Sequence, residues 1–179
     1  MKRPGFTLIE LMVTVSIIGI IVTASMAGYF NSEKKSNLDG GMRMLSANFN
    51  LARNDFLSGV KYAGAVPVGG WGIHLDKSSS TYLLFADLNN NGLYDAGESD
   101  AGFGGREFDL GKNLSFSTID LGDQLDTVFF GINTPKASIM SGANSSSTAC
   151  VEVTETVSGR VAGFKINAFG FYEIVNSCQ

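Results

Sequence analysis

The segment from Asp87 to Glu98 holds the densest set of possible metal ligands in the sequence. It satisfies the calcium-loop pattern, in which side-chain oxygens recur at positions 1, 3, 5, 9 and 12. In that pattern position 7 offers a main-chain carbonyl, and glycine at position 6 allows the turn. The candidate ligands are Asp87, Asn89, Asn91, Leu93, Asp95 and Glu98, with Gly92 at the turn. Two of the ligand side chains are amides, so we expect no required cofactor and a weak calcium site.

The residues before this segment support a second interpretation. Tyr82-Leu83-Leu84-Phe85 is typical of a strand, whereas an EF-hand loop follows a helix. A tight Asn91-Gly92 hairpin with solvated acidic side chains would account for the same residues without an ion. The sequence leaves both interpretations open.

Few other residues could perform catalysis. The sequence has one histidine, His74, and two cysteines, Cys150 and Cys178, too few for a zinc site with the usual ligand spacing. His74 alternates with apolar residues along a predicted strand, so we expect it at the surface. The sequence contains no motif for a nucleophile, a phosphate loop or a redox pair. We therefore predict that the protein is not an enzyme.

The N-terminus is the most apolar part of the chain. Residues 6–30 carry one charge, Glu10, and residues 11–30 carry none. About 20 apolar residues suffice for a helix to cross a bilayer. A secretory signal peptide cleaved after Ala27 is one alternative, but signal cores are usually shorter. A plain membrane anchor is another, and it leaves the costly carboxylate of Glu10 unexplained.

Residues 2–13, Lys-Arg-Pro-Gly-Phe-Thr-Leu-Ile-Glu-Leu-Met-Val, resemble the type IV prepilin signature. The resemblance implies that a prepilin peptidase cuts between Gly5 and Phe6 and methylates the new amine of Phe6. It also implies that Glu10 pairs with the terminal amine of a neighbouring subunit during assembly. A buried carboxylate is tolerated beside such a partner. Unlike many pilins, the chain has no proline between Phe6 and Phe30.

This resemblance divides the chain into a leader at residues 1–5, a transmembrane and filament-core helix at residues 6–30, and a globular region at residues 31–179. Basic residues flank both ends of the span, so charge does not decide its orientation. The family places the N-terminus in the cytoplasm and the globular region in the periplasm or outside the cell, anchored in inner-membrane lipid. Disulfides persist in exported domains, and we expect one between Cys150 and Cys178.

The globular region begins with an amphipathic helix. Its apolar residues recur every three or four positions, which predicts one buried face. They are Leu38, Met42, Leu45, Phe49, Ala52 and Phe56. We expect Asp39-Gly40-Gly41 to loosen this helix between its membrane half and its packed half.

From Tyr62 onward the apolar period changes to two, which predicts strands. The predicted strands are Trp71–Leu75, Thr81–Asp87, Arg106–Leu110, Asn113–Ile119, Thr127–Ile132, Lys136–Met140, Cys150–Thr156, Arg160–Asn167 and Phe171–Asn176. Predicted turns include Gly111-Lys112, Leu121-Gly122-Asp123, Ser158-Gly159 and Phe169-Gly170. Residues 141–147 are predicted to form a polar loop. The fold class is α+β and pilin-like, with a helix packed on an antiparallel sheet.

A second set of motifs narrows the resemblance. Leu51-Ala52-Arg53, Gly70-Trp71-Gly72 and Phe85-Ala86-Asp87 occur in this order and resemble the GspH/FimT group of minor pilins and minor pseudopilins. The resemblance implies a structural subunit of a type II secretion pseudopilus or type IV pilus, in contact with other pilins. Such a subunit helps to initiate or cap filament assembly for protein secretion.

The alternative function is a membrane-anchored binding module for DNA uptake or adhesion, using the calcium loop or the C-terminal hairpins. Some relatives bind DNA through a Gly-Arg-x-Arg motif, but here Ala162 follows Arg160-Val161. The formal net charge of −4 also argues against nucleic acid as a partner, since phosphate binding needs clustered cations.

Overall fold

A computed structural model describes residues 5, 7–62, 64–77, 79–95, 97–98, 106–119, 126–131, 137–141, 144–146, 148–167 and 171–178. Helix α1, Leu8–Leu57, opens the described chain. It ends where Gly59 takes a left-handed φ of 59°, a conformation common just beyond helix C-termini. The chain divides into two compact units, Met1–Ser36 and Asn37–Gln179.

The first unit is dominated by the apolar part of α1. Residues Leu8–Met26 have a mean hydropathy of 2.2, and among the described residues this is the one helical stretch long and apolar enough to cross a membrane. Its large side chains, including Ile9, Ile17 and Ile20, are exposed. Apolar side chains of this kind need a lipid or protein environment in place of water.

The second unit contains the remainder of α1 and ten strands among the described residues. The strands are β1 Gly70–Leu75, β2 Thr81–Asp87, β3 Arg106–Asp109, β4 Leu114–Ile119, β5 Asp126–Gly131, β6 Ala137–Ser141, β7 Asn144–Ser146, β8 Thr148–Glu155, β9 Arg160–Asn167 and β10 Tyr172–Val175. Each of the predicted strands has a counterpart whose ends differ by at most two residues. This agreement follows from the period of two in the apolar residues; in β8, for example, buried Val151 and Val153 alternate with half-buried Glu152 and Thr154.

The strands form two antiparallel sheets where the sequence analysis predicted one. The first sheet has the order β3-β2-β1-β5-β6-β7 and the second has the order β10-β9-β8-β4. The chain changes sheet between β3 and β4, where Gly111 and Asn113 have φ values of 118° and 62°. Alternating apolar residues predict strands but not their partners, because both sheets bury one face in the same way.

The predicted polar loop at residues 141–147 is also corrected. Residues 144–146 form the edge strand β7, whose backbone pairs with β6 from Ile139 to Ser141. Serine and asparagine favour loops, but a short hairpin needs only main-chain hydrogen bonds. The turns predicted at residues 121–123 and 169–170 lie outside the described residues.

The apolar stripe of α1 is buried as predicted. Leu38, Met42, Leu45, Phe49 and Ala52 join the core, and Phe56 packs against it partly buried. The stripe contacts inward-facing residues of both sheets. The ring of Phe49 packs edge-on against Phe164 of β9, with the ring centroids 5.5 Å apart.

α1 is continuous through Asp39-Gly40-Gly41, so these residues do not interrupt the helix where we predicted that they loosen it. Gly41 instead permits close packing. A Cβ atom there would lie 2.8 Å from the carbonyl oxygen of Leu110 and still closer to the side chain of Leu114, whereas Gly40 faces open space. The two glycines therefore differ in role although they are adjacent.

Candidate functional site

The first turn of α1 brings together the residues that the prepilin signature singles out. Thr7 precedes the helix, and its main-chain N–H and its hydroxyl donate to Glu10 Oε2 at 3.1 and 2.9 Å. The Glu10 N–H donates in return to Thr7 Oγ1 at 3.3 Å. This is a reciprocal capping box, which satisfies donors that a helix N-terminus would otherwise leave open. Glu10 therefore helps to cap the start of α1, and it is also the one charged residue in the apolar stretch Leu8–Met26.

The sequence analysis missed this cap, although Thr7-Leu8-Ile9-Glu10 has the spacing of a capping box. Of the two residues at the predicted cleavage point, Gly5 is exposed and Phe6 lies outside the described residues. Glu10 is also exposed. Both hydrogen bonds that the described residues donate to its carboxylate end on Oε2, and a carboxylate can accept through either oxygen.

The second candidate site is the loop between Asp87 and Glu98, which begins at the end of β2. Asp87 is fully buried. Its Oδ1 accepts from the Asn90 N–H at 2.6 Å and its Oδ2 from the Gly92 N–H at 2.8 Å. Gly92 has a φ of 73°, a left-handed conformation that suits glycine. The Asp87 carboxylate therefore holds the first half of the loop in place through these two main-chain hydrogen bonds.

The exposed tip of the loop is held by side-chain amides. Asn89 and Asn91 direct their Nδ2 groups at Asp95 Oδ2, at 2.6 and 2.8 Å. Their Oδ1 atoms accept main-chain N–H groups two residues further on, at Asn91 and Leu93. These local bonds replace a regular two-residue hairpin by a longer ordered loop.

Glu98 closes the loop. It is 3% exposed, and its two oxygens accept from the main-chain N–H groups of Leu88 and Asp95 at 2.8 and 3.1 Å. Burial raises the pKa of Glu98; these two hydrogen bonds lower it, and the nearby charges of Asp87 and Asp95 raise it. The three carboxylates thus lie close enough to repel one another.

The structure brings the predicted calcium ligands into one loop but already gives their carboxylates hydrogen-bond donors. Among the described residues, no three Asp, Glu, His or Cys side chains are arranged to hold a metal ion. A calcium ion would therefore need the amide and main-chain oxygens as well. It would also displace the amide nitrogens from Asp95, which keeps any site weak.

An aromatic contact that the sequence analysis did not predict holds the loop against the first sheet. The ring of Tyr94 lies against His74 in a tilted arrangement, with ring centroids 4.8 Å apart, and contacts Phe85 edge-on at 5.5 Å. The prediction that His74 lies at the surface is wrong, because the ring is half-buried. Burial lowers the pKa of His74, and the charge of Asp76 opposes the shift. The alternating pattern gave no signal of a loop folding back over this strand.

Gly69 packs against Asp87, the first residue of the same loop. Its N–H donates to the Asp87 carbonyl at 2.9 Å, and a Cβ atom there would overlap the carboxylate of Asp87. A glycine is therefore needed where the chain enters β1.

The predicted disulfide between Cys150 and Cys178 is present, with the two Cα atoms 5.6 Å apart. It ties the end of the chain to β8, and the Cys178 N–H also donates to Glu152 Oε1 at 2.7 Å. Gly163 allows the tail to pack closely, because a Cβ atom there would lie 2.7 Å from Val175. On the other side, the tail contacts α1 through an Asn50–Tyr172 hydrogen bond of 3.0 Å.

The C-terminal hairpin carries little of what nucleic-acid binding requires. In the turn between β8 and β9, the buried Glu155 carboxylate accepts the N–H groups of Val157 and Ser158. Arg160 and Lys165 are exposed but lie five residues apart on β9. Two separated cations give a phosphate chain few contacts.

These features define an α+β protein with antiparallel sheets and an N-terminal helix that is long and apolar enough to cross a membrane. Residues 1–26 match the family model described as the prokaryotic N-terminal methylation motif. The chain is therefore type IV prepilin-like. No curated protein and no solved structure matched it.

Proposed function

We propose that the protein is a structural, non-enzymatic subunit of a type IV pilus or type II secretion pseudopilus. The observation that carries this proposal is the methylation motif at residues 1–26, which includes the exposed apolar helical stretch Leu8–Met26. Within this class we assign it the role of a minor subunit that helps to start or cap a filament. Its partners are other pilin-like subunits and the prepilin peptidase.

The first unit would provide both the membrane anchor and the assembly contact. Before assembly, residues 8–26 lie in the inner membrane, with the N-terminus in the cytoplasm. In a filament, the same apolar surface packs against neighbouring helices. The Oε1 atom of Glu10 then accepts from the terminal amine of the next subunit, and this contact offsets the cost of placing a carboxylate in an apolar layer.

Processing is tested first by the intact mass of membrane-extracted protein. We expect a chain that begins at Phe6 and carries one N-methyl group. A chain that begins at Gly28 would contradict the proposal and favour an ordinary signal peptide. An unprocessed chain in cells with an active prepilin peptidase would also contradict it.

The assembly contact is tested with Glu10→Gln, measured as incorporation into sheared filaments. We expect normal membrane insertion but at least tenfold less incorporation, since an uncharged amide cannot form the ion pair. Glu33→Gln is the matched control, because Glu33 is an exposed acid in the same helix beyond the apolar segment. Equal incorporation of both variants would refute the role of Glu10. Companion subunits recovered by pull-down would distinguish a pilus from a secretion pseudopilus.

A further inference from the structure

The exposed tip of the loop after β2 holds the one asparagine in the sequence that is followed by glycine, Asn91-Gly92. In such a pair, the main-chain nitrogen of the glycine can attack the side-chain carbonyl carbon of the asparagine, because the new bond closes a five-membered ring. Glycine has no side chain to obstruct this approach. Asn91 is exposed, so water can reach the product. The proposed assembly contact does not involve this part of the chain.

A carboxylate already holds the proton that this attack has to remove. The Gly92 N–H donates to Oδ2 of Asp87 at 2.8 Å, which is within the distance required of a general base. Asp87 is fully buried, so water does not compete for its oxygen atoms. The carboxylate is therefore placed to accept the proton as the nitrogen attacks.

Both polar atoms of the Asn91 amide are held as well. Its Oδ1 accepts from the Leu93 N–H at 2.7 Å, the distance at which a main-chain donor stabilises an oxyanion. Its Nδ2 donates to Asp95 Oδ2 at 2.8 Å, and the two contacts together identify which atom of the amide is the oxygen. One contact thus polarises the carbonyl group, and the other orients the nitrogen that has to leave.

We propose that Asn91 is a self-catalysed deamidation site. The Gly92 nitrogen attacks Cγ of Asn91 while Asp87 takes the N–H proton, and the electron pair of the carbonyl bond moves onto Oδ1. When the carbonyl re-forms, the Cγ–Nδ2 bond breaks and the nitrogen leaves as ammonia with the proton that Asp87 returns. Water then opens the cyclic imide to aspartate or isoaspartate, so the net reaction consumes one water and releases one ammonia.

The product has a different loop tip. A carboxylate at position 91 cannot donate to Asp95, so one of the two amide contacts to Asp95 Oδ2 is replaced by repulsion between like charges. The other contact, from Asn89, remains. The reaction therefore makes the loop more acidic as the protein ages, and it requires no enzyme.

Asn89 provides a comparison within the same loop. Its Oδ1 accepts from the Asn91 N–H at 3.0 Å, and its Nδ2 donates to Asp95 at 2.6 Å. The next N–H, that of Asn90, donates to Asp87 Oδ1 at 2.6 Å. Asn90 carries a side chain that hinders the approach of its nitrogen, whereas Asn91 is followed by glycine. We therefore expect Asn89 to react at least tenfold more slowly than Asn91.

The experiment follows the full chain in detergent micelles at neutral pH with a chelator, beside a synthetic peptide of residues 84–98 that lacks the rest of the fold. Samples are digested and mapped by mass spectrometry over time, and deamidation is located by a gain of one mass unit at residue 89 or 91. We expect Asn91 to react at least tenfold faster in the folded chain than in the peptide. An equal or slower rate in the folded chain would overturn the proposal, as would equal rates at Asn89 and Asn91.

A substitution of the base completes the test. Asp87→Asn should slow the reaction at Asn91 at least tenfold, because an amide does not accept the proton as a carboxylate does. Asp109→Asn is the matched control and should leave the rate unchanged, since Asp109 is an exposed residue of β3 whose Oδ1 accepts from the Gly111 N–H at 2.9 Å. A folded Asp87→Asn chain that reacts at the wild-type rate would overturn the role of Asp87. If circular dichroism shows that this variant does not fold, the comparison of the wild type with the peptide decides the outcome.

Discussion

Gly40 and Gly41 allow a direct measurement of how tightly α1 packs. Replacing glycine by alanine inside a helix stabilises it by about 0.8–1.0 kcal/mol, because alanine loses less backbone entropy on folding. At Gly40, a Cβ atom would meet nothing within 4 Å, so Gly40→Ala should show this full gain. At Gly41, the new methyl group would overlap Leu114 and lie 2.8 Å from the Leu110 carbonyl oxygen.

Leu114 can move its side-chain end, but the Leu110 carbonyl belongs to the backbone and cannot. Overpacking of this kind costs about 1–3 kcal/mol. The propensity gain is the same in both variants, so their difference isolates the overlap. We expect Gly41→Ala to be about 1–3 kcal/mol less stable than Gly40→Ala, a difference in melting temperature of about 2–12 °C for a chain of this size.

The assay is urea unfolding of the full chain in micelles, followed by the fluorescence of Trp71, which is 2% exposed in the folded state. A thermal melt followed by circular dichroism gives the second measure. Equal stabilisation by both substitutions would refute the close approach of α1 to the segment after β3. A loss of stability in Gly40→Ala would show that the helix is not continuous there.

Three further predictions concern the tail and the loop. Replacing Cys150 and Cys178 together by alanine should lower the free energy of unfolding by about 3.6 kcal/mol, from the chain-entropy model applied to their separation of 28 residues. Two free thiols in protein recovered from the cell envelope would contradict the disulfide. Burial raises the pKa of Glu98 above its ordinary value of 4.5, so the folded chain binds this proton more tightly than the unfolded chain. Lowering the pH from above the raised pKa to below 4.5 should therefore stabilise the wild type relative to Glu98→Gln. A stability difference between the two proteins that does not change with pH would contradict the raised pKa. Calcium at ten times its Kd should stabilise the wild type by about 1.4 kcal/mol relative to chelator, whereas calcium should not stabilise Asp95→Asn, a substitution at an exposed position. If calcium does not change the stability of the wild type, the loop is a turn and not a calcium site.

Asp95 is a better probe of calcium than Asp87. The buried Asp87 carboxylate accepts two main-chain N–H groups, so its removal would disturb the loop with or without an ion. Among the described residues, the hydrogen bonds to the Asp95 carboxylate come from the side-chain amides of Asn89 and Asn91. Replacing it lowers the charge of the loop and leaves the two buried carboxylates in place.

The features that sequence reasoning predicted correctly depend on local pattern. The stripe from Leu38 to Phe56 predicted the buried face of α1, because its spacing matches the helical period. Strands β2 and β9 were predicted with their observed bounds, because apolar residues alternate along them and turn-forming residues stand at their ends. Such signals lie within a few residues of the structure they determine.

The features that were missed depend on contacts between distant residues. The division into two sheets is decided by which strands pair, and β4 pairs with β8, which begins some 30 residues later. The contact between the rings of Tyr94 and His74 and the close approach at Gly41 likewise join separate parts of the chain. The sequence pattern shows that a residue is apolar or small, but it does not show which distant residues it will contact in the folded chain.

The capping box at Thr7 and Glu10 shows how a local signal can have a second meaning. An acidic residue three positions after a threonine is a common helix start in soluble proteins, yet here the helix that follows is apolar enough to span a membrane. In the subunit role proposed above, a charge at the start of such a helix would have to be satisfied in the free subunit and again in the filament. The bonds from Thr7 to Oε2 meet the first need within one chain, and in the proposed filament Oε1 would meet the second through a neighbouring subunit. One carboxylate can therefore stabilise the helix start before assembly and pair with another subunit afterwards, without giving up either contact.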